Sequence, residues 1–257
     1  MLERMQRTAA IATAAAMGLG MVFFSANAYA RQSIERNLKV TGAVELEVRT
    51  GSEDLVVRAG EAGSVAVTCI VKPQNDSDDE SDAIEKTVEF LESHLPLRQE
   101  GNHISIEPLH DREMLRHANI IYELTVPADS SLTFETSAGD LSVEGLRGSV
   151  EFRSSSGDMR LKSVEGSVRA HTSSGDVSLE GMGKGAIEVE TQSGDVAIHL
   201  PSQSGYDLSA HTSSGDFSIG PDLALEAGDT KNEVRGKIRG GGTPLRLRTS
   251  SGDIRVN

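Results

Sequence analysis

Seven aspartates recur in one local phrase, and carboxylates at regular spacing are the first residues here that could do chemistry. They are Asp54, Asp140, Asp158, Asp176, Asp195, Asp216 and Asp253, and all but the first follow a Ser-Gly or Ala-Gly pair. Two chemistries suit such a column. Stacked carboxylates can hold a ladder of cations, as in calcium-binding β-rolls. Alternatively, each can accept hydrogen bonds from turn amides while the glycine before it supplies a positive φ. Two exposed carboxylates about 4.8 Å apart repel by roughly 1 kcal/mol in water, which a charge-assisted hydrogen bond offsets. The calcium-binding nonapeptide also needs extra glycines and carbonyl ligands that these copies lack. The structural role is the stronger expectation.

Other candidate groups are weaker. His171 and His211 lie two copies apart in the chain with Glu190 between them, a separation of about 10 Å if copies stack, wide for a shared metal. The acidic run NDSDDESD (75–82) imitates a calcium loop, but Ser81 stands where that loop needs glycine and Thr87 where it needs glutamate. GMGKG (181–185) resembles a phosphate loop, yet the strand-like AIEVE follows it where a helix N-terminus is required. Cys69 is the only cysteine and sits in the apolar run VAVTCIV, as a buried structural thiol would. No G-x-S-x-G, H-E-x-x-H or C-x-x-C occurs. No catalytic, cofactor-binding or metal-binding residue is assigned. A glycan-active β-helix lyase or hydrolase is the enzymatic alternative. It would need an acid pair set apart from its neighbours, and these carboxylates form a uniform column.

The elements that position the aspartates follow from the repeat. AHTSSGD is written twice, at 170–176 and 210–216. The glycines before the aspartates are Gly139, Gly157, Gly175, Gly194, Gly215 and Gly252, at intervals of 18, 18, 19, 21 and 37. Seven residues before each glycine stand Leu132, Val150, Val168, Ile187, Leu208 and Leu245. The columns five before, two after and four after are equally apolar, in a chain that is 37% hydrophobic. Apolar and polar residues alternate on both sides of the phrase, the period of a strand with one buried face. Each unit therefore reads as strand, S-S-G-D turn, strand and a glycine-rich turn. One unit cannot bury its apolar face alone, but stacked units can. The expected fold is an all-β, flattened β-solenoid with two strands per coil and repeats of about 18 residues; the alternative is an antiparallel β-sandwich.

RTGSEDLVV (49–57) aligns with RTSSGDIRV (248–256), with Glu53 in the glycine position. Residues 31–130 thus begin the same architecture and then depart from it, as a capping region would. They include one expected helix, with Asp82 and Glu85 as a capping box, an apolar stripe of Ile84, Val88, Leu91 and Leu95, and Pro96 as its stop. Residues 131–257 form the repeat solenoid.

Residues 1–30 read as a cleaved signal peptide: two arginines, an apolar stretch from Thr8 to Phe24, and Ala28-Tyr29-Ala30 as the cleavage signature. Their loss moves the net charge from −14 to −15, which disfavours nucleic acid and anionic lipid as partners. No later apolar run is long enough to span a membrane. An exported protein is expected, with the periplasm as the default compartment and the cell surface or medium as alternatives.

YELTVPADSSLTFETSAGDLSVEGLRGSV, the repeated TSSGD phrases and GGGTPLRLRTSSGDIRV together resemble the bacterial exported β-repeat proteins labelled "putative adhesins". The resemblance runs from about Leu38 to Asn257. It implies a β-solenoid or β-roll fold in the cell envelope and carries no functional residues with it. The expected function is a non-enzymatic, adhesin-like scaffold presenting an acidic surface to an envelope protein or glycan. The last strand, Asp253–Val256, is expected to expose a free edge through which copies could associate.

Overall fold

Alternate side chains along each repeat are buried, and that alternation builds two sheets facing one another. The computed structural model describes residues 32–74, 81–110, 114–220, 223–225 and 231–257. The expected signal peptide, most of the acidic run and the Asp82 side chain lie outside the described residues. Strand β1 (Gln32–Lys39) precedes the first coil, β2 (Glu45–Arg49) and β3 (Asp54–Gly60). An excursion follows: β4 (Ser64–Pro73), α1 (Ser81–His94), β5 (Leu97–Glu100), β6 (His103–Ile106) and β7 (Ala118–Pro127). The regular coils are β8 (Ser131–Thr136) with β9 (Leu141–Glu144), β10 (Val150–Ser156) with β11 (Met159–Lys162), β12 (Val168–Ser174) with β13 (Val177–Glu180), and β14 (Ile187–Ser193) with β15 (Val196–His199). Then come β16 (Tyr206–Ser214) with β17 (Phe217–Ile219), a detour through β18 (Leu223–Leu225) and β19 (Glu233–Ile238), and the final coil β20 (Thr243–Ser251) with β21 (Ile254–Val256).

Every coil contributes its first strand to one sheet and its second to the other. The first sheet runs β18-β19-β16-β20-β14-β12-β10-β8-β2-β6-β5, and the second β1-β4-β7-β3-β9-β11-β13-β15-β21-β17. Pairing between coils is parallel and in register: Val150 faces Leu132 on one side and Val168 on the other. This parallel stacking is the flattened solenoid and excludes the antiparallel sandwich. The four apolar columns fill the space between the sheets. Phe134 and Phe152 stack there with ring centroids 5.8 Å apart, and only Phe217 and Ile219, in the terminal coil, are merely half-buried. Helix α1 lies against β1 and β4, with Ile84 and Leu91 buried and Val88 half-buried. Strands from residues 31–130 and from 131–257 hydrogen-bond into the same two sheets.

The order of coils in space differs from their order in the chain. The last coil does not end the stack: β20 lies between β14 and β16, and β21 between β15 and β17. Leu245 pairs with Ile187 on one side and Leu208 on the other, and Ile254 with Val196 and Phe217. The expectation that Asp253–Val256 exposes an edge is therefore corrected, because Ile254–Val256 is paired on both sides. The described strand at that margin is β17. The physical reason lies in the chain path: the sixth coil overshoots by one rung and the seventh fills the slot, which the intervals of 21 and 37 residues reflect.

Glycine in the S-G-D phrase is required at every copy by the distance between rungs, and at two of the six by its φ as well. Only Gly194 and Gly252 have positive φ, 157° and 153°. A Cβ on Gly175 would instead lie 2.1 Å from the Gly157 carbonyl oxygen, and one on Gly157 would lie 2.3 Å from that of Gly139. The contacts continue to Gly194, Gly252 and Gly215, at 2.1, 2.1 and 2.0 Å. Glu53 occurs where the file begins, and its carbonyl is the one that Gly139 approaches. The second turn repeats the device with Gly148, Gly166 and Gly185.

Gly175→Ala should cost about 3 kcal/mol or more, because backbone rather than a movable side chain opposes the methyl; urea unfolding reads it, and an unchanged midpoint would contradict the stacking. Ile254→Pro should cost a similar ~3 kcal/mol, since it removes the amide that donates to Asp216 O at 3.0 Å within a two-sided ladder; a midpoint equal to that of the parent chain would return β21 to the edge.

Candidate functional site

The aspartates form one continuous file at the turn. Asp140 donates its backbone N–H to Asp54 Oδ1 at 3.0 Å, Asp158 to Asp140 at 2.9 Å, Asp176 to Asp158 at 2.9 Å and Asp195 to Asp176 at 2.8 Å. Asp253 then donates to Asp195 at 2.9 Å, and Asp216 to Asp253 at 3.0 Å. Each carboxylate accepts from the next coil rather than from its own turn. The repulsion between neighbours is met by these amides and by two arginines. Arg160 bonds Asp158 Oδ2 at 2.9 Å, and Arg255 bonds Asp195 Oδ2 at 2.8 Å and Asp253 Oδ2 at 2.7 Å. Among the described residues, no group of three His, Cys, Asp or Glu side chains is placed to hold a metal ion.

Beneath this file runs a column that the apolar pattern does not reveal: Thr50, Thr136, Ser154, Thr172, Thr191, Thr249 and Thr212, all buried except the half-buried Thr136. Most of its hydroxyls serve the turn, whereas Thr172 Oγ1 and Thr191 Oγ1 are buried with no hydrogen-bond partner among the described residues. Thr136 Oγ1 accepts from Gly139 N at 3.0 Å, and Thr212 Oγ1 donates to Gly252 O at 3.1 Å. The repeated Ser or Thr three residues before the glycine was its signal. Leu146, Val164 and Met182, buried in the opposite turn, were also missed; their signal is one apolar residue between glycines or serines in an otherwise polar loop.

Other candidates are structural. Cys69 is fully buried, and burial, with a smaller contribution from Glu53, pushes its thiol up to about 12. Burial likewise raises the Tyr122 phenol. Glu53, 6% exposed, accepts from the amides of Gly51 at 2.8 Å and Ser52 at 3.0 Å, so it caps the turn file. Gly183 and Gly185 of the GMGKG segment lie against Glu165 and Gly166 of the preceding coil, which leaves no phosphate cradle.

The outer face of the eleven-stranded sheet carries the arrangement best suited to recognition. Four residues before each glycine, the order across the sheet is Arg49, Glu135, Arg153, His171, Glu190, Arg248, His211, Glu233. His171 and His211 are thus three rungs apart, with both Glu190 and Arg248 between them, because the last coil intervenes. Glu135 reaches Arg49 at 3.4 Å and Arg153 at 3.0 Å, and Glu190 reaches His171 at 3.6 Å. The parallel row contains Glu151, Arg169, Glu188 and Arg246, with Arg169 and Glu188 3.2 Å apart. Exposed pairs of this kind contribute about 0–1 kcal/mol each, so the fold does not depend on them. What they provide is a flat array of charges at fixed spacing.

Asp195 links this electrostatic description to a measurement. The Asp253 amide, then Arg255, hold its carboxyl below its ordinary 3.8. A lowered folded value means the contribution is present above that ordinary value and is lost as pH falls through the folded one. Stability should therefore decline below about pH 4, and Asp195→Asn should flatten the acid limb of a pH series of unfolding midpoints; superimposable limbs would contradict the assignment.

The profile of the Toastrack DUF4097 family matches residues 122–257. No protein of curated function matches the chain. Among solved structures, a "putative cell adhesion protein" from Clostridium sporogenes is 13% identical, with 88% of this chain and 99% of that chain covered and a TM-score of 0.49. A "putative adhesin" from Bacteroides fragilis is also 13% identical, covering 88% of this chain and 97% of that one at a TM-score of 0.43. The family match spans more than half the chain and contains six of the seven aspartate-bearing coils: the protein belongs to the Toastrack DUF4097 family.

Proposed function

We propose that the chain is a non-enzymatic, exported protein of the cell envelope, adhesin-like in that it holds a partner protein or glycan against a rigid β-face. One observation carries this reading: the stacked coils set out charged side chains in straight rows across the eleven-stranded sheet, on a backbone locked by parallel pairing. Residues on rigid elements need little ordering on binding, so weak individual contacts add along the rows. The N-terminal segment supports export, and no helix among the described residues is long and apolar enough to cross a membrane. The strongly acidic composition favours protein or glycan over nucleic acid as the partner.

The experiment is retention of the full chain on immobilised envelope fractions. Glu135→Lys with Arg153→Glu, which scrambles the rows while leaving the core intact, should reduce retention several-fold. Ser178→Lys on the opposite sheet should leave it unchanged. Equal retention of all three proteins would refute a binding role for this face, and release of reducing ends from a polysaccharide panel would instead favour a glycan-active enzyme.

A further inference from the structure

The charge rows are balanced over most of the sheet and become unbalanced at the inserted coil. Arg49, Arg153, Arg169 and Arg235 each lie within 4.0 Å of a carboxylate. Arg246 and Arg248 have none within that distance among the described residues, although both are exposed. Two of their neighbouring carboxylates are engaged elsewhere, Glu188 with Arg169 and Glu233 with Arg235 at 2.6 Å, and Glu190 lies 3.6 Å from the His171 imidazole. Two guanidinium groups therefore stand without a carboxylate partner on one short stretch of a protein whose net charge is −14.

Their surroundings form a shallow trough. Register places Ser209 between Arg246 and Arg235, and His211 between Arg248 and Glu233. The small Ser209 leaves a hollow of about 160 Å³ lined by Arg246, Arg248, Arg235 and His211 and, on its flanks, by the carboxylates of Glu188, Glu190 and Glu233. Two further hollows adjoin it and share Arg246, one reaching Lys237 and the other Ser167 and Ala186. Residues two apart on a strand point to the same side, about 6.7 Å apart, so Arg246 and Arg248 reach upward together. Guanidinium forks match the planar or tetrahedral oxyanions of carboxylates and phosphates.

We propose that the trough centred on Arg246 and Arg248 binds the oxyanion groups of an anionic glycan chain laid across the rungs. This rests on the recognition role proposed above and names the ligand chemistry for one part of that face. A linear polymer suits the site because the three hollows run on from one another through Arg246, whereas a small free anion would use only one. The paired arginines toward β8 and β2 are already neutralised, so selectivity is confined to the end of the sheet built by the last coil.

The test is calorimetric titration of the full chain with three oligomers of matched length: a galacturonate (carboxylate), a glycerol phosphate (phosphate) and a dextran (neutral). At least one anionic oligomer should bind, more weakly as salt rises, and the dextran should not. R246Q/R248Q should lower the affinity roughly ten-fold or more, and K162Q, which removes a cation paired with Glu144 on the opposite sheet, should change it less than two-fold. Because both trough arginines are exposed and lack partner carboxylates, the double variant should keep the parent unfolding midpoint. If it does not, R246Q and R248Q singly should each weaken binding several-fold. Equal affinity for dextran, an unaffected double variant, or an equal loss in K162Q would overturn the proposal. If neither anion binds while envelope fractions still retain the chain, this inference fails and the broader recognition role stands; if envelope fractions also fail to retain it, both fall.

Discussion

Backbone approaches backbone at the S-G-D turn more closely than any side chain would permit, and the rest of the architecture depends on that approach. Parallel coils can stack at the strand spacing only if their turns stack too. At each turn the α-carbon of one glycine faces the carbonyl oxygen of the glycine below, where an added methyl would lie at 2.0–2.3 Å. Once the turns coincide, the aspartate amide falls on the carboxylate of the preceding coil, the threonine column closes beneath it, and the apolar columns come into register. The aspartates are thus a product of close stacking, and their apparent suitability for cations follows from the same geometry.

Energetically the molecule divides into an interior and an ornament. The interior is a dry seam of aliphatic and aromatic side chains between two sheets, and burial of this kind supplies most of the stability of a β-solenoid. The outward rows add little to it. That separation leaves the outer positions open to change, since a coil tolerates Glu, Arg, His or Ser there as long as the inward columns are kept. A surface decoupled from the core in this way is well suited to acquiring binding specificity.

Much of the fold was legible in the residues themselves. The alternation around Val168–Leu179 marks two strands and a turn, equal columns mark in-register stacking, and Glu53 at the first copy marks the start of the file. The helical stripe from Ile84 to Leu91 was equally plain. Two things were not. The purpose of the glycines was assigned to φ, because a sequence records that Cβ is excluded without recording what excludes it. The order of the final coils was hidden because Leu208 and Leu245, or Ala210 and Leu247, satisfy the same columns, so apolar pattern alone cannot rank them. The rows of charge inherit that ambiguity: which guanidinium meets which carboxylate depends on whether Arg248 or His211 stands beside Glu190.

The slot filled by the last coil has a consequence for how the polypeptide reaches its native state. A chain delivered from its N-terminus presents β16 before β20 exists, and β14 then offers β16 the same columns that it later offers β20. Direct pairing of the fifth and sixth coils is therefore a ready non-native arrangement that must open again to admit the C-terminal segment. Assembly cannot proceed as a simple ratchet, one turn laid on another; its closing step joins residues distant in the chain and waits for β20 and β21 to emerge.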